Sequence, residues 1–207
     1  FIVAQKKAGE ALKYAGKTID GNQPINVIKT NIDRVTELTD GEVNQSDDKK
    51  RYGVKQALTG AVSHISYAAT SPDASENVKA FADTFAKNAT GILDRCDLII
   101  ALGNDIKGSH SLEEAGLLAR EVEKLVRANI RGEDLNSDGR IGSEPEEFGL
   151  VQLHRDIENM IAREDPPYTT VASWYLFNLI RMPDGRWIFR NRSTSSGNPY
   201  GGSTSTY

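Results

Sequence analysis

The stretch INVIKTNIDRVTEL, residues 25–38, indicates most directly which fold this sequence adopts. Its apolar residues recur at every third or fourth position and so share one stripe of an amphipathic helix: Ile25, Ile28, Ile32, Val35 and Leu38. Pro24, directly before them, suits the first turn of a helix. The stretch therefore predicts a helix whose apolar stripe packs into a core or against another helix.

The same periodicity predicts further helices on both sides of this stretch. An earlier helix contains Ile2, Val3, Ala8, Ala11, Leu12 and Ala15 and ends at Gly21-Asn22. Residues 40–53 are polar and aperiodic, which predicts an exposed loop, and residues 54–69 then form a third helix. A fourth helix runs from about Val78 to a predicted end at Gly103-Asn104, and residues 103–108 are predicted to be a connector.

Two more helices follow. Ser111-Leu-Glu-Glu114 has the spacing of a capping box, in which the serine and the glutamate satisfy each other's backbone amides, and it predicts the start of a fifth helix. A sixth helix is marked by four apolar residues, Phe148, Val151, Ile157 and Ile161. The sequence thus predicts a mainly α protein, a bundle of about six helices.

Composition excludes several classes of function. The chain has 207 residues, 38% of them hydrophobic, which suits one domain or one domain with appendages. A formal net charge of −4 argues against nucleic acid or an anionic membrane surface as the main partner. No apolar run approaches the roughly 20 residues of a membrane-spanning helix. Cys96 is the only cysteine, so no internal disulfide is possible.

Oxygen-bearing side chains alternate between the fifth and sixth helices, in the segment Asp134-Leu-Asn-Ser-Asp-Gly-Arg-Ile-Gly-Ser-Glu-Pro-Glu-Glu147. A hard dication takes six to eight oxygen ligands, and alternate residues of a tight loop can direct carboxylate and amide oxygens at one centre. Asp134, Asn136 and Asp138 supply these oxygens, and Gly139 follows where the chain must turn sharply. Arg140 is predicted to contribute its backbone carbonyl.

This segment resembles the calcium loop of the EF-hand superfamily, including the dockerin-like variants of secreted bacterial proteins. The resemblance covers residues 112–163 when the flanking helices 112–131 and 146–163 are included, and it implies a bound Ca²⁺ ion. It has one departure, because Pro145 occupies the twelfth position, where the family has a bidentate glutamate.

The closing carboxylate must therefore come from another residue. Ser143 and Glu146 have the spacing of an N-cap and the third residue of a helix, which predicts a loop of residues 134–146 closed by Glu146. Glu144 and Glu147 are the alternative metal ligands. A metal-free turn is the alternative to a metal site, since Asn, Asp, Ser and Gly also cluster in ordinary turns.

The C-terminal part of the sequence has a different character. Residues 166–190 predict a β-hairpin around the turn Met182-Pro-Asp-Gly185, with a helix over 169–181 as the competing interpretation. Residues 191–207 form a tail of low complexity, rich in Gly, Ser, Thr and Tyr. The predicted domains are therefore a helical domain at 1–165, a hairpin at 166–190 and the tail.

No catalytic constellation is recognisable, and the three histidines, His64, His110 and His154, fall on different predicted elements. The favoured function is a non-enzymatic, extracytoplasmic, calcium-binding structural or assembly protein, whose most plausible partner is another copy of itself. The start at Phe1 is consistent with removal of a secretion signal. The alternative is a ligand-binding or enzymatic helical module whose site is not visible in the sequence.

Overall fold

A computed structural model describes residues 1–19, 23–42, 51–164, 179–181 and 187–189. The chain divides into two units, Phe1–Ile157 and Glu158–Tyr207. The described residues are mainly helical and contain six α-helices: α1 (Ile2–Ile19), α2 (Ile25–Asp40), α3 (Val54–Ala69), α4 (Glu76–Gly108), α5 (Leu112–Arg131) and α6 (Leu150–Ala162). This confirms the prediction of a mainly α fold with about six helices.

The described residues contain two pairs of short strands. β1 (Gly41–Glu42) pairs with β2 (Arg51–Tyr52) in antiparallel orientation, so the ends of the predicted loop at 40–53 are paired. β3 (Leu179–Arg181) pairs with β4 (Trp187–Phe189) in the same way. Most of the predicted hairpin at 166–190, with its competing helix, and all of the tail at 191–207 lie outside the described residues, so these remain predictions.

The fourth helix is longer than the sequence predicted. The expected end at Gly103-Asn104 is wrong, because α4 continues to Gly108 over 33 residues, roughly 50 Å at 1.5 Å per residue. Gly103 lies against α2, where an added Cβ would come within 2.5 Å of the Thr36 hydroxyl. Ile106 is fully buried in the next turn. Close packing and burial thus outweigh the weak helix propensity of a single glycine.

In α1 the buried stripe consists of small residues. Ala4, Ala8, Ala11 and Ala15 are buried, whereas Ile2 is 77% exposed and Val3 is 47% exposed. The predicted helix is confirmed, but its inward face does not include the two large residues at its start. Alanine side chains let neighbouring helices approach closely, since little side-chain volume separates the backbones.

Two clusters of buried side chains form the core of the first unit, and α4 contributes to both. One cluster joins α1, α2, α4 and α5 around Ile32, Ile99 and Ile106. The other joins α1, α3 and α4 around Leu58, Phe85 and Ile92, and it also contains residues that follow the acidic segment: Phe148, Leu150 and Leu153. The second cluster therefore anchors the chain directly after the predicted metal ligands.

The starts of α5 and α6 differ from the prediction in three details. The Ser111 hydroxyl accepts from the Glu114 amide at 3.2 Å, as predicted, but the Glu114 carboxylate accepts from the Ser109 hydroxyl at 2.6 Å. The expected sixth helix starts only at Leu150, after a 3₁₀ turn at Pro145–Glu147. Val151, predicted to face inward, is exposed, and its neighbour Leu150 is buried instead.

Among the described helices, none has the length and apolar character needed to cross a membrane.

Candidate metal centre

The predicted oxygen donors lie in the segment that joins α5 to α6, residues 132–149 (the α5–α6 loop). Its two ends cross closely, and the amide of Glu133 donates to the carbonyl of Glu147 at 3.0 Å. A Cβ at Gly132 or Gly149 would collide with the backbone of the opposite end, and Gly132 also has a φ of 77°. Glycine at both positions allows the two ends to meet.

Asp134 organises the tip of the loop through both of its carboxylate oxygens. Oδ1 accepts from the amide of Asp138 at 3.2 Å, and Oδ2 accepts from the amide of Gly139 at 2.9 Å. The side-chain oxygen of Asn136 accepts from the same Asp138 amide at 2.9 Å. Because one N–H contacts both side chains, Asp134 and Asn136 present oxygen atoms to one region of the loop.

Asp138 and the residues around it complete the turn. One Asp138 oxygen accepts from the amide of Arg140 at 2.8 Å, and the other accepts from the Asn136 side-chain amide at 3.4 Å. Gly139 has a φ of 80°, as the sequence predicted, and Ser137 has a φ of 62°. Arg140 is exposed, and the role of its carbonyl as a ligand stays a prediction.

Glu147 lies inside the loop and has no exposed surface. Its Oε1 accepts from the amides of Leu135 and Asn136, each at 3.2 Å. Its Oε2 accepts from the amides of Gly142 at 3.1 Å and Ser143 at 3.0 Å, and from the Ser143 hydroxyl at 2.9 Å. One carboxylate therefore joins the incoming and outgoing limbs of the loop.

These hydrogen bonds determine the ionisation of Glu147. Burial opposes the charged form, but the Ser143 hydroxyl and the surrounding amides stabilise the carboxylate more strongly and lower the pKa of Glu147 to about 2. Glu147 is therefore ionised across the physiological pH range and supplies a permanent negative charge at the centre of the loop.

Unlike Glu147, the nearby residues Glu144 and Glu146 have exposed side chains. Glu146 is the glutamate predicted from the sequence to close the metal site. The expected capping relation between Ser143 and Glu146 is replaced by one between Glu144 and Glu147, because the Glu147 carboxylate accepts from the Glu144 amide at 3.4 Å. The outgoing segment thus begins one residue later than the cap argument assumed, and the inward carboxylate shifts with it. The ligand role of each glutamate stays a prediction.

The chemistry of the side chains can be compared with the needs of a cation. The acceptors turned toward the loop interior are carboxylate and amide oxygens, which suit Ca²⁺ and do not suit soft transition metals. Most of these oxygens accept from backbone amides here. Within the part of the chain that the structure describes, no three His, Cys, Asp or Glu side chains are grouped so that they could hold a metal ion. The donor types therefore fit Ca²⁺, and a full coordination shell would require side-chain rotation.

Comparison with protein-family models, curated proteins and solved structures found no match for this chain. The function therefore has to be argued from the residues themselves. His64, His110 and His154 lie on α3, between α4 and α5, and on α6, respectively, so they fall on different elements as predicted. The ring of His154 stacks on Phe1 at 6.0 Å between centroids.

Arg95 contacts the loop and was not recognised from the sequence. Its guanidinium reaches the carbonyls of Glu146 and Phe148 and the side chain of Asn129. Burial lowers the pKa of the Arg95 guanidinium, and nearby acidic groups partly offset this effect. The available signal was its position between Ile92 and Ile99 on the apolar stripe of α4, where an arginine requires buried acceptors.

A groove forms a second candidate site, separate from the loop. It has a volume of about 420 Å³ and lies where α1 ends and α2 and α5 begin. Its apolar wall includes Ile19, Ile28 and Leu112, and Glu113 and Arg120 line it with opposite charges. Gly116 also lines the groove, and an added Cβ there meets nothing within 4 Å.

Proposed function

We propose that this chain is an extracytoplasmic, calcium-binding structural or assembly protein, in which Ca²⁺ stabilises the helix–loop–helix corner between α5 and α6. The observation that carries the proposal is the shared use of the Asp138 amide by Asp134 and Asn136, at 3.2 and 2.9 Å. It brings oxygen donors from alternate residues to one region of a tight turn, as a calcium loop requires.

The charge of the loop supports a cation as its ligand. Residues 133–147 contain six carboxylates and one arginine, a net formal charge of −5. Carboxylates this close in sequence repel one another unless a cation or hydrogen-bond donors compensate them. Hydrogen bonds from backbone amides stabilise the negative charges of Asp134, Asp138 and Glu147. Ca²⁺ neutralises part of the charge that remains.

The proposed ligands are the side-chain oxygens of Asp134, Asn136 and Asp138, the carbonyl of Arg140 and one closing glutamate. Glu147 is the better candidate for that glutamate, because it lies inside the loop whereas Glu146 is exposed. The sequence analysis favoured Glu146 as the closing ligand, and the proposal replaces it with Glu147, one of the two alternatives.

Thermal unfolding with and without Ca²⁺ tests the proposal. At a Ca²⁺ concentration ten times Kd, binding stabilises the folded chain by about 1.4 kcal/mol, which corresponds to a rise in Tm of roughly 3–6 °C for a chain of this size. The double variant Asp134→Ala/Asp138→Ala should lose this rise. Asp73→Ala/Asp83→Ala is the matched control, because it removes the same charge at two exposed sites elsewhere. Equal melting curves for the parent with millimolar Ca²⁺ and with chelator would refute the proposal.

The proposed role in assembly rests on exposed apolar side chains near the N-terminus. Phe1 packs edge-on against Phe85 at 6.2 Å between ring centroids, whereas Ile2 and Val3 remain exposed beside it. A second copy of the chain is a suitable partner for such a surface. Sedimentation velocity with Ca²⁺ and with chelator tests this: association that depends on Ca²⁺ supports it, and a monomer under both conditions counts against it.

The groove between α1, α2 and α5 favours a second candidate function, the binding of a small amphipathic molecule. An anionic dye with an apolar body, such as anilinonaphthalene sulfonate, is a suitable probe, because Arg120 can pair with its sulfonate while Ile19, Ile28 and Leu112 contact its rings. Dye fluorescence that is lost in Gly116→Leu, which fills the groove, and weakened in Arg120→Gln would support this function. Equal fluorescence in all three proteins would exclude the groove.

A further inference from the structure

Arg95 connects α4 to two other parts of the chain, the helix that enters the α5–α6 loop and the segment that leaves it. Its Nε donates to the side-chain oxygen of Asn129 on α5 at 2.9 Å. Its Nη1 donates to the carbonyl of Glu146 at 2.6 Å, and its Nη2 donates to the carbonyl of Phe148. The same guanidinium therefore holds the helix that enters the loop and the segment that leaves it.

Gly91 lies one helical turn before Arg95 and brings the same segment onto α4. A Cβ at Gly91 would lie 2.8 Å from the Cα of Glu146 and 3.0 Å from its carbonyl oxygen. The 3₁₀ turn at Pro145–Glu147 therefore packs directly on the backbone of α4, which only glycine permits. Gly91 and Arg95 together form a seat on α4 for the outgoing limb of the loop.

The two carbonyls that Arg95 holds belong to the residues on either side of Glu147. Fixing the backbone at Glu146 and at Phe148 fixes the direction in which the Glu147 side chain leaves the chain between them. That direction places the Glu147 carboxylate among the amides of the loop. The contact of α4 with the outgoing limb thus determines which glutamate faces the interior.

We propose that Arg95 is a positioning residue for the calcium loop, and that the seat formed by Arg95 and Gly91 on α4 holds the outgoing limb so that Glu147 faces the loop interior. This inference rests on the proposed calcium site. Arg95 touches no proposed ligand oxygen and acts by holding the backbone that presents Glu147. The forked guanidinium suits this task because several of its N–H groups donate from one rigid plane.

Replacement of Arg95 by lysine tests the proposal, because lysine keeps the charge and loses the fork. Arg155→Lys is the matched control, since Arg155 is exposed on α6. Isothermal titration with CaCl₂ should give a Kd at least about tenfold higher for Arg95→Lys and an unchanged Kd for Arg155→Lys. Amide hydrogen exchange with chelator present should accelerate at Leu135, Asn136 and Ser143 in Arg95→Lys, while amides in the middle of α2 keep their rates.

The outcomes separate this proposal from the proposed function. A folded Arg95→Lys variant with the parental Kd overturns the positioning role and leaves the calcium site intact. A parent chain that binds no Ca²⁺ overturns both. A purely structural role for Arg95 predicts lower stability with an unchanged Kd. Should Arg95→Lys not fold, Gly91→Ala provides a second test, since its methyl group displaces the turn with Arg95 in place. Its Kd should rise relative to Gly60→Ala, and an unchanged Kd overturns the proposal.

Discussion

Ser143 donates two hydrogen bonds to the carboxylate of Glu147, one from its backbone amide at 3.0 Å and one from its hydroxyl at 2.9 Å. The other oxygen of the same carboxylate accepts from Leu135 and Asn136 on the opposite limb. Glu147 therefore joins the two limbs of the loop within the chain itself. These contacts use only groups of the chain, and a loop organised in this way has less conformational entropy to lose when it binds a ligand.

Replacement of Glu147 by glutamine should disturb the loop more than the same change at Glu146. A glutamine side chain has only one oxygen, and its NH₂ group would face amides that need an acceptor. Glu147→Gln should therefore lower stability in urea unfolding with chelator and raise the Kd for Ca²⁺ by about tenfold or more. Glu146→Gln, at an exposed site, is the control and should have little effect. The reverse ranking would restore Glu146 as the closing ligand.

The pKa of Glu147 predicts how the metal-free chain responds to acid. The folded pKa is about 2, below the ordinary value of 4.5. The contribution of Glu147 to stability is therefore fully present above pH 4.5 and is lost as the pH falls from there toward 2. Urea unfolding of the parent and of Glu147→Gln with chelator, between pH 7 and pH 2.5, should give curves that converge at low pH. Parallel curves would show that the carboxylate makes no such contribution.

The sequence could predict the tip of the loop but not its closure. The alternation of Asp134, Asn136 and Asp138 and the turn at Gly139 are local features, and the chain adopts them where they were expected. Which glutamate faces inward depends on where the outgoing segment starts, and that depends on its contact with Gly91 and Arg95. These residues lie about fifty positions earlier, so no pattern near the loop contains the information.

Two glycines in the interiors of helices should respond to alanine in opposite directions. At Gly60 on α3 an added Cβ meets nothing within 4 Å, so Gly60→Ala should stabilise the chain by about 0.5–1 kcal/mol through helix propensity. At Gly91 the added methyl group meets the backbone of Glu146, so Gly91→Ala should destabilise it by about 1–3 kcal/mol. Urea unfolding of both variants measures the difference. Equal stabilisation by both would mean that the turn does not pack on α4.

At the C-terminal end of α4, the rule that a Gly-Asn pair ends a helix gave a wrong prediction. Gly103-Asn104 resembles the end of a helix, but the turn that follows buries Ile106 completely beside Ile99, Val122 and Val126. Periodicity could have indicated this, because Ile99 and Ile106 are seven residues apart and so lie on one helical face. A single glycine costs only about 1 kcal/mol of helix propensity, less than the burial of an isoleucine contributes.

Truncation of Ile106 measures how much its burial contributes to the free energy of unfolding. If residues 103–108 are the last turns of α4, Ile106→Ala leaves a cavity in the first core cluster and should destabilise the chain by about 2–5 kcal/mol. Leu98→Ala is the control, because Leu98 lies on the same helix and is 46% exposed, and it should change stability by only a few tenths of a kcal/mol. Both free energies come from urea unfolding with chelator present, so that Ca²⁺ binding does not contribute. An exposed connector would instead tolerate Ile106→Ala as well as α4 tolerates Leu98→Ala, and the helix would then end where the glycine suggested.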